Sequence, residues 1–469
     1  MVFRFYNHRR KRICNMNIII VGCGKIGTTI LSSLLAEGHD IVAVDSNPEV
    51  ISEISNIYDS MYVCGNGTDC DTLSEAGVEK AEMFVAATGS DELNMLSCFL
   101  AKRMGAKHTI ARIRNPEYND KSLSFMRQQL DLAMSFNPDL IAAQELYHVL
   151  KLPSAVKIEY FSRRNFEMVE LIVREDSPLC GVQLMELRKK YQQAKFLICA
   201  VQRGNDVCIP DGSFRLESGD RIELTASPAE IQKLLRMMGL MQKQARSVMI
   251  LGASRMGFYL AKMLLASGTD VKIIDKDRQK CQEVSEQLPG AVVICGDGAQ
   301  QEILLEEGLK SMDAFASLTG MDEENILISF YASSQGVPKV ITKVNRDELE
   351  FIAERLGLES LISAKNVSSN VLSRYARALE NSLGSNVETL YKLMDGKAEA
   401  LEFRVQADFK MTGVPLKEMR LKSGILISGI LRGRRALIPA GDDEIQVGDR
   451  VIVMAAGHRI NDLSDILQD

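Results

Sequence analysis

Short apolar runs alternate with amphipathic stretches along most of this chain. The run Asn17-Ile18-Ile19-Ile20-Val21 leads into a glycine turn, then into a segment from Ile26 to Glu37 with helical apolar spacing that stops at Gly38. A short apolar run closed by a turn fits a strand buried on both faces, and a glycine just past a periodic segment is a helix stop. Further strands are predicted at Ile41-Val42-Ala43-Val44, Ser60-Met61-Tyr62-Val63, Met83-Phe84-Val85-Ala86-Ala87 and His108-Thr109-Ile110-Ala111-Arg112-Ile113, with helices between them. The alternation predicts an α/β, doubly wound parallel sheet of Rossmann type from about residue 16 to 139.

The pattern then returns. Gly22-Cys23-Gly24-Lys25-Ile26-Gly27 has a counterpart 230 residues on in Gly252-Ala253-Ser254-Arg255-Met256-Gly257, and each first glycine precedes an acid, Asp45 or Asp275, by 23 residues. Cys64-Gly65-Asn66-Gly67 matches Cys295-Gly296-Asp297-Gly298, and the stretch from Thr88 to Asn94 matches that from Thr319 to Asn325. Two matches in register indicate a duplication. A smaller segment of alternating apolar and polar residues follows each copy, over 154–238 and 384–469, and these also match, sharing Ile-Pro-x-Gly and Gly-Asp-Arg stretches at Ile209–Arg221 and Ile438–Arg450. Each is read as a small α+β domain with a hairpin turning at Gly-Asp. The expected order is therefore an extension over 1–15, a Rossmann-like domain over 16–139, a small domain over 154–238, a second Rossmann-like domain over 246–366 and a second small domain over 384–469.

Composition agrees with several soluble cores. The 469 residues are 46% hydrophobic and 25% charged, more chain than one core accommodates. A net charge of −6 argues against general nucleic-acid binding, which needs a basic surface. The ten cysteines form no Cys-x-x-Cys pair, as expected of scattered thiols in a reducing cytosol. No apolar run approaches the roughly 20 residues that cross a bilayer. The first fifteen residues carry Arg4, Arg9, Arg10, Lys11 and Arg12 without an acid, just before Met16. They read as a disordered tail or a mis-assigned start, with a basic membrane-contact arm as the sharper alternative.

The turns carry the candidate chemistry. In the first, Gly22 permits the strand-to-helix turn, Gly24 lets backbone approach a pyrophosphate, and Gly27 lets helix and strand pack closely. Phosphates would sit on the helix N-terminus, which makes Cys23, Lys25 and Ile26 candidate cofactor contacts as well. Asp45 would accept both adenosine ribose hydroxyls and repel a 2′-phosphate, favouring NAD(H) over NADP. Asn66 is placed for the adenine edge, Thr88 for phosphate or distal ribose, and Arg112 with Arg114 to clamp a distal phosphate, each against the alternative of an ordinary turn residue or a solvated charge. In the second turn Ser254 stands where the middle glycine should be and Arg255 adds charge at the helix start. Gly252, Ser254, Arg255, Met256, Gly257 and Asp275 are thus candidates for an altered site, binding ADP or ATP or serving only as structure. The five histidines form no acid–base or metal cluster, so no catalytic residue and no metal site is expected; an NAD-dependent oxidoreductase is the alternative function.

These residues together resemble the RCK, or KTN, domains that regulate the conductance of potassium channels and transporters. The motifs that carry the resemblance are the turn from Gly22 to Gly27, Asp45, Cys64-Gly65-Asn66-Gly67-Thr68, Thr88-Gly89-Ser90-Asp91-Glu92, Ala111-Arg112-Ile113-Arg114 and the Gly-Asp-Arg stretch. The tandem form, over essentially all of residues 16–469, implies a regulatory subunit, peripheral on the cytoplasmic face of the inner membrane. It implies NAD(H) as ligand, with ADP or ATP besides, and gating of a separate membrane-spanning potassium-translocating subunit. It also implies a homo-oligomer, such as a tetramer of tandem chains.

Overall fold

The computed structural model describes residues 15–118, 120–161, 165–382, 387–394 and 396–468. The expected amino-terminal extension lies, but for Asn15, outside the described residues. The first half runs β1 (Asn17–Val21), α1 (Lys25–Ala36), β2 (Asp40–Asp45), α2 (Pro48–Ser55), β3 (Met61–Cys64), α3 (Cys70–Glu75), β4 (Met83–Ala86), α4 (Asp91–Met104), β5 (His108–Arg112), α5 (Asp120–Gln129), β6 (Met134–Phe136) and α6 (Pro138–Lys151). It continues through β7 (Lys157–Phe161), β8 (Phe166–Ile172), α7 (Leu184–Lys190), β9 (Leu197–Arg203), β10 (Asp206–Cys208), β11 (Arg221–Ala226) and α8 (Pro228–Met237).

The second half repeats this order: β12 (Ser247–Leu251), α9 (Arg255–Ala266), β13 (Asp270–Asp275), α10 (Arg278–Gln287), β14 (Val292–Cys295), α11 (Gln301–Glu306), β15 (Ala314–Ser317), α12 (Asp322–Ser334), β16 (Lys339–Lys343), α13 (Asp347–Arg355), β17 (Ser360–Ile362) and α14 (Ala364–Ser382). It closes with β18 (Val387–Leu393), β19 (Ala398–Arg404), β20 (Ile425–Arg432), β21 (Arg435–Leu437) and β22 (Arg450–Ala456).

Two six-stranded parallel sheets result, ordered β3-β2-β1-β4-β5-β6 and β14-β13-β12-β15-β16-β17. Ile18, Ile19, Ile20 and Val21 are all buried, as a central parallel strand with helices on both faces requires. In α1, Ile30, Leu31 and Leu34 are buried, and Gly38 ends the helix at φ +85°, its N–H donating to the Leu35 carbonyl at 2.8 Å. Only a residue free to take positive φ ends a helix this way without strain.

The two small domains are antiparallel sheets of matching order, β10-β9-β11-β8-β7 and β21-β20-β22-β19-β18. The Gly-Asp-Arg stretch is not the hairpin turn expected of it. β11 follows it but pairs with β8 and β9, not with its predecessor β10; the β9–β10 hairpin turns at Gly204 instead. Asp220 is a buried carboxylate held by the Arg203 guanidinium through two bonds of 2.8 Å and by the Glu217 N–H at 2.8 Å. Asp449 repeats this with Arg432 and the Gln446 N–H.

The described residues form two compact units, residues 15–141 with Ala364–Ala376, and Ala142–Ser363 with the residues from Arg377 onward. In the first unit α14 lies on α1, with Ser373 Oγ 3.0 Å from Ser33 Oγ and Tyr375 edge-on to His108. In the second unit the two antiparallel sheets share one core, in which Phe161, Phe166, Met168 and Ala200 meet Leu393, Ala400, Ile452 and Met454. The Arg174–Glu359 ion pair at 2.8 Å and the Lys339 ammonium on the Ala155 carbonyl at 2.7 Å tie the first small domain to the second parallel sheet.

Candidate functional site

Each glycine of the first turn answers a different demand. Gly22 takes φ +90°, and a Cβ there would stand 2.7 Å from the Thr88 nitrogen. A Cβ at Gly27 would come within 1.9 Å of the Gly22 carbonyl oxygen. Around Gly24 a Cβ would meet no protein atom within 4 Å, and Gly24 caps α1 with no side-chain acceptor. The first amides of a helix have no intrahelical partner, and the dipole adds positive potential there. Lys25 is exposed and Ile26 half-buried at this helix start, while Cys23 is buried beneath it. Burial, with the Asp45 charge adding, pushes the Cys23 thiol up to about 12, and its sulfur lies 3.7 Å from the Val44 carbonyl.

Asp45 ends β2 with both oxygens engaged. Oδ2 accepts the Cys23 N–H at 2.7 Å and Oδ1 the Asn47 N–H at 2.9 Å. The acid thus clamps the glycine turn to the end of the neighbouring strand. It remains half-exposed, and a carboxylate has lone pairs for further donors.

Thr88 N–H and Oγ1 both bond the Asn94 Oδ1, at 2.8 and 2.7 Å. Asn94 is fully buried and donates to the Arg112 carbonyl at 2.9 Å; it holds the ends of β4 and β5 together. Sequence reasoning gave it no role, although the matching loops each end in asparagine, and Asn325 repeats every one of these bonds with Thr319 and Lys343. Arg112 is only 7% exposed. The arginine that reaches the loop after β4 is Arg114, which donates to the Gly89 carbonyl and lies 3.6 Å from the Asp91 carboxylate. Asn66 folds back on its own loop, its Oδ1 accepting the Thr68 N–H at 3.1 Å and hydroxyl at 3.0 Å. That is an Asx turn, and it leaves Asn66 exposed.

The second turn keeps the frame and changes its mouth. Gly252 takes φ +103°, and a Cβ at Gly257 would lie 2.5 Å from the Gly252 oxygen. Asp275 accepts the Ala253 N–H at 2.7 Å and the Asp277 N–H at 2.9 Å. Ser254, however, turns its hydroxyl onto the Gly257 N–H at 3.2 Å, so the helix supplies its own acceptor where the first turn leaves an amide open. Met256 and Phe258 are buried and Arg255 is exposed.

Two open sheets of Rossmann order, each followed by a small antiparallel domain, define a tandem fold of the RCK type. The GsuK RCK domain has this fold, at TM-score 0.63 and 18% identity, covering 95% of this chain and 93% of that one. The TrkA-N domain model matches residues 18–127 and 248–364 and the TrkA-C domain model residues 168–239 and 400–468. The chain belongs to the TrkA family. The Trk system potassium uptake protein TrkA homolog of Archaeoglobus fulgidus is 32% identical over 453 residues, covering 97% of this chain and all of that relative. TrkA of Vibrio alginolyticus is 28% identical over 459 residues, covering 97% and 99%. The structure titled GsuK channel bound to NAD aligns at TM-score 0.62 and 18% identity, over 95% of this chain and 77% of that one. Among the described residues no helix is long and apolar enough to cross a membrane.

Proposed function

We propose that this chain is the nucleotide-sensing regulatory subunit of a potassium-uptake system. It binds NAD(H) at the first turn and gates a Trk-type, membrane-spanning potassium-translocating partner from the cytoplasmic face of the inner membrane. The observation that carries the reading is the open N-terminus of α1, where Gly24 leaves space and no side chain caps the helix. The residues fit a dinucleotide: the amides from Lys25 to Gly27 for the diphosphate, Asp45 for the adenosine ribose, Asn66 for the adenine edge, and Thr88 beside Gly22 for phosphate or distal ribose. Arg114 fits the distal phosphate better than the buried Arg112.

The relatives named for Trk potassium uptake and the channel titled as bound to NAD support this reading. A further GsuK structure, at TM-score 0.51, is titled as bound to ADP, and ADP or ATP is the ligand we assign to the second turn, with Gly252, Arg255 and Asp275 as its frame. Working limits are 16–139 and 246–366 for the Rossmann-like domains and 154–238 and 384–469 for the small ones, with a tetramer of tandem chains as the assembly. The chain senses and does not turn over: a ligand shifts the equilibrium between two states by its differential affinity for them.

Calorimetric titration of NADH, NAD⁺, ADP and ATP into the full-length protein tests the proposal. Micromolar binding at one or two sites per chain is expected. Absence of binding by all four, or sustained NADH oxidation with pooled metabolites that Asp45→Ala abolishes, would overturn it.

A further inference from the structure

The register of the second parallel sheet sets Asp275 opposite Cys295, so an exposed thiol ends β14 beside the acid of the second turn. Alternation along the strand puts Val293 and Cys295 on the face opposite Ile294, and Ile294 packs into the core on its own side. The other face is covered by α10, whose first turn brings in Cys281. That thiol is buried, donates to the Asp275 carbonyl at 3.2 Å and lies 3.8 Å from the Ile294 carbonyl. The Ile294 carbonyl it approaches belongs to the peptide that leads into Cys295, and the Cys295 thiol acts on its titration. One buried and one exposed thiol therefore share the corner where α10, β13 and β14 meet.

The first copy supplies an internal comparison. Cys64 is paired in register with Asp45 and is likewise exposed. Counted from the helix caps Asn47 and Asp277, however, the position equivalent to Cys281 is Ile51. The same strand end carries a lone thiol in one copy and a thiol pair in the other, and packing alone does not call for a second sulfur there.

We propose that Cys281 and Cys295 form a reversible redox site, a dithiol that a hydroperoxide converts to a disulfide at the corner of the second turn. Cys295, the accessible sulfur, attacks the peroxide as thiolate. The O–O bond breaks, the sulfur is oxidised to sulfenic acid, and water leaves when hydrogen peroxide is the oxidant. Cys281 then attacks the sulfenic sulfur; the S–S bond forms, the S–O bond breaks, and the hydroxyl departs as a second water with the Cys281 proton. Two thiols and one peroxide yield one disulfide and two waters, and two equivalents of a small thiol reverse the change by exchange. Cys281 acts second because it is buried while Cys295 is exposed, and burial first, then the neighbouring Cys295 and Asp275, push its thiol up to about 11. A reducing compartment suits such a bond, since intracellular disulfides are mostly transient and sensing. Once formed, it ties the first turn of α10 to the end of β14 and stiffens the strand end that carries Asp275. The inference stands on these residues and holds whether or not the second turn binds a nucleotide.

The test is to treat the reduced full-length protein with hydrogen peroxide in the presence of dimedone, which captures sulfenic acids, and to map the cysteine peptides by mass. Expected is a Cys281–Cys295 linkage within one chain, reversed by dithiothreitol, while Cys64 takes up dimedone and forms no linkage. In Cys281→Ser and Cys281→Ala, Cys295 should become labelled as Cys64 is. Labelling of Cys295 equal to that of Cys64 in the unmodified protein, or a linkage of either sulfur to another cysteine, overturns the proposal. That reading needs no variant to fold.

Discussion

At the scale of single residues, Asp45 and Asp275 share one task, and the proposed function gives Asp45 a second. Each accepts two backbone amides that fix its turn, and a hydrogen bond to a charged group contributes about 1.5–3 kcal/mol. Asp45→Ala and Asp275→Ala should therefore both lower the melting temperature. NADH affinity should separate them: Asp45→Ala is expected to weaken it at least tenfold, or about 1.4 kcal/mol, with Asp275→Ala close to neutral. Equal affinity losses in calorimetry would place a dinucleotide in both turns. The glycines divide in the same way. Gly24 has φ −69° and open space around it, so Gly24→Ala should melt as the parent does while binding dinucleotide more weakly. Gly27→Ala drives a Cβ into the Gly22 carbonyl and should cost about 1–3 kcal/mol of stability, as overpacking does. Urea unfolding of the two variants alongside NADH titration decides whether the two roles separate.

At the scale of elements, α1 and α9 differ in what meets their first amides. The Ser254 hydroxyl on the Gly257 N–H makes α9 a capped helix, and replacing such a cap by glycine costs only a few tenths of a kcal/mol. Ser254→Gly should thus leave the fold intact and strengthen ADP binding at the second turn. Unchanged affinity would assign that turn's character to the buried Met256 instead. Across the first small domain, Lys157, Glu170 and Glu223 stand side by side on β7, β8 and β11, and the strand position equivalent to Glu223 in the second small domain is Ile452. Burial, then the Glu170 charge, hold the Glu223 carboxyl well above its ordinary value. The folded state therefore binds this proton more tightly than the unfolded chain does. Its contribution to stability is complete below the ordinary carboxylate range and is lost as pH rises through the folded value. Glu223→Gln keeps the neutral form at every pH, so it should raise the melting temperature by a few degrees at about pH 8 and change it little at about pH 4. Melts at the two pH values check the sign.

At the scale of the whole molecule, the parallel sheets were legible because their signals are local. Apolar runs, glycine turns and acids at fixed spacing lie within about 25 residues of one another and recur in both copies. Sheet pairing in the small domains was not legible. The partners of β11 lie upstream on β8 and β9, and nothing in Ser218-Gly219-Asp220-Arg221 encodes that a buried aspartate there grips an arginine on β9. Nor does any pattern announce that Phe166 and Ile452 share one core, since each reads only as an inward-facing strand residue. Ser254 was legible as a substitution, but its cap is a matter of rotamer. The placement of α14 likewise follows from geometry alone. Leu372 is fully buried in the stretch that completes the first unit. Leu372→Ala should cost about 2–5 kcal/mol, seen as loss of hydrogen-exchange protection in β1 and α1 ahead of the antiparallel sheets.

That same helix sets a clock on biosynthesis. The first unit takes its last stretch from Ala364–Ala376, some 235 residues after Ile141. At translation rates of about 5–20 residues per second, the ribosome needs roughly 10–50 s to deliver it. Throughout that interval the nascent first sheet carries an uncovered α1 surface, which makes it a customer for whatever chaperone waits at the exit tunnel.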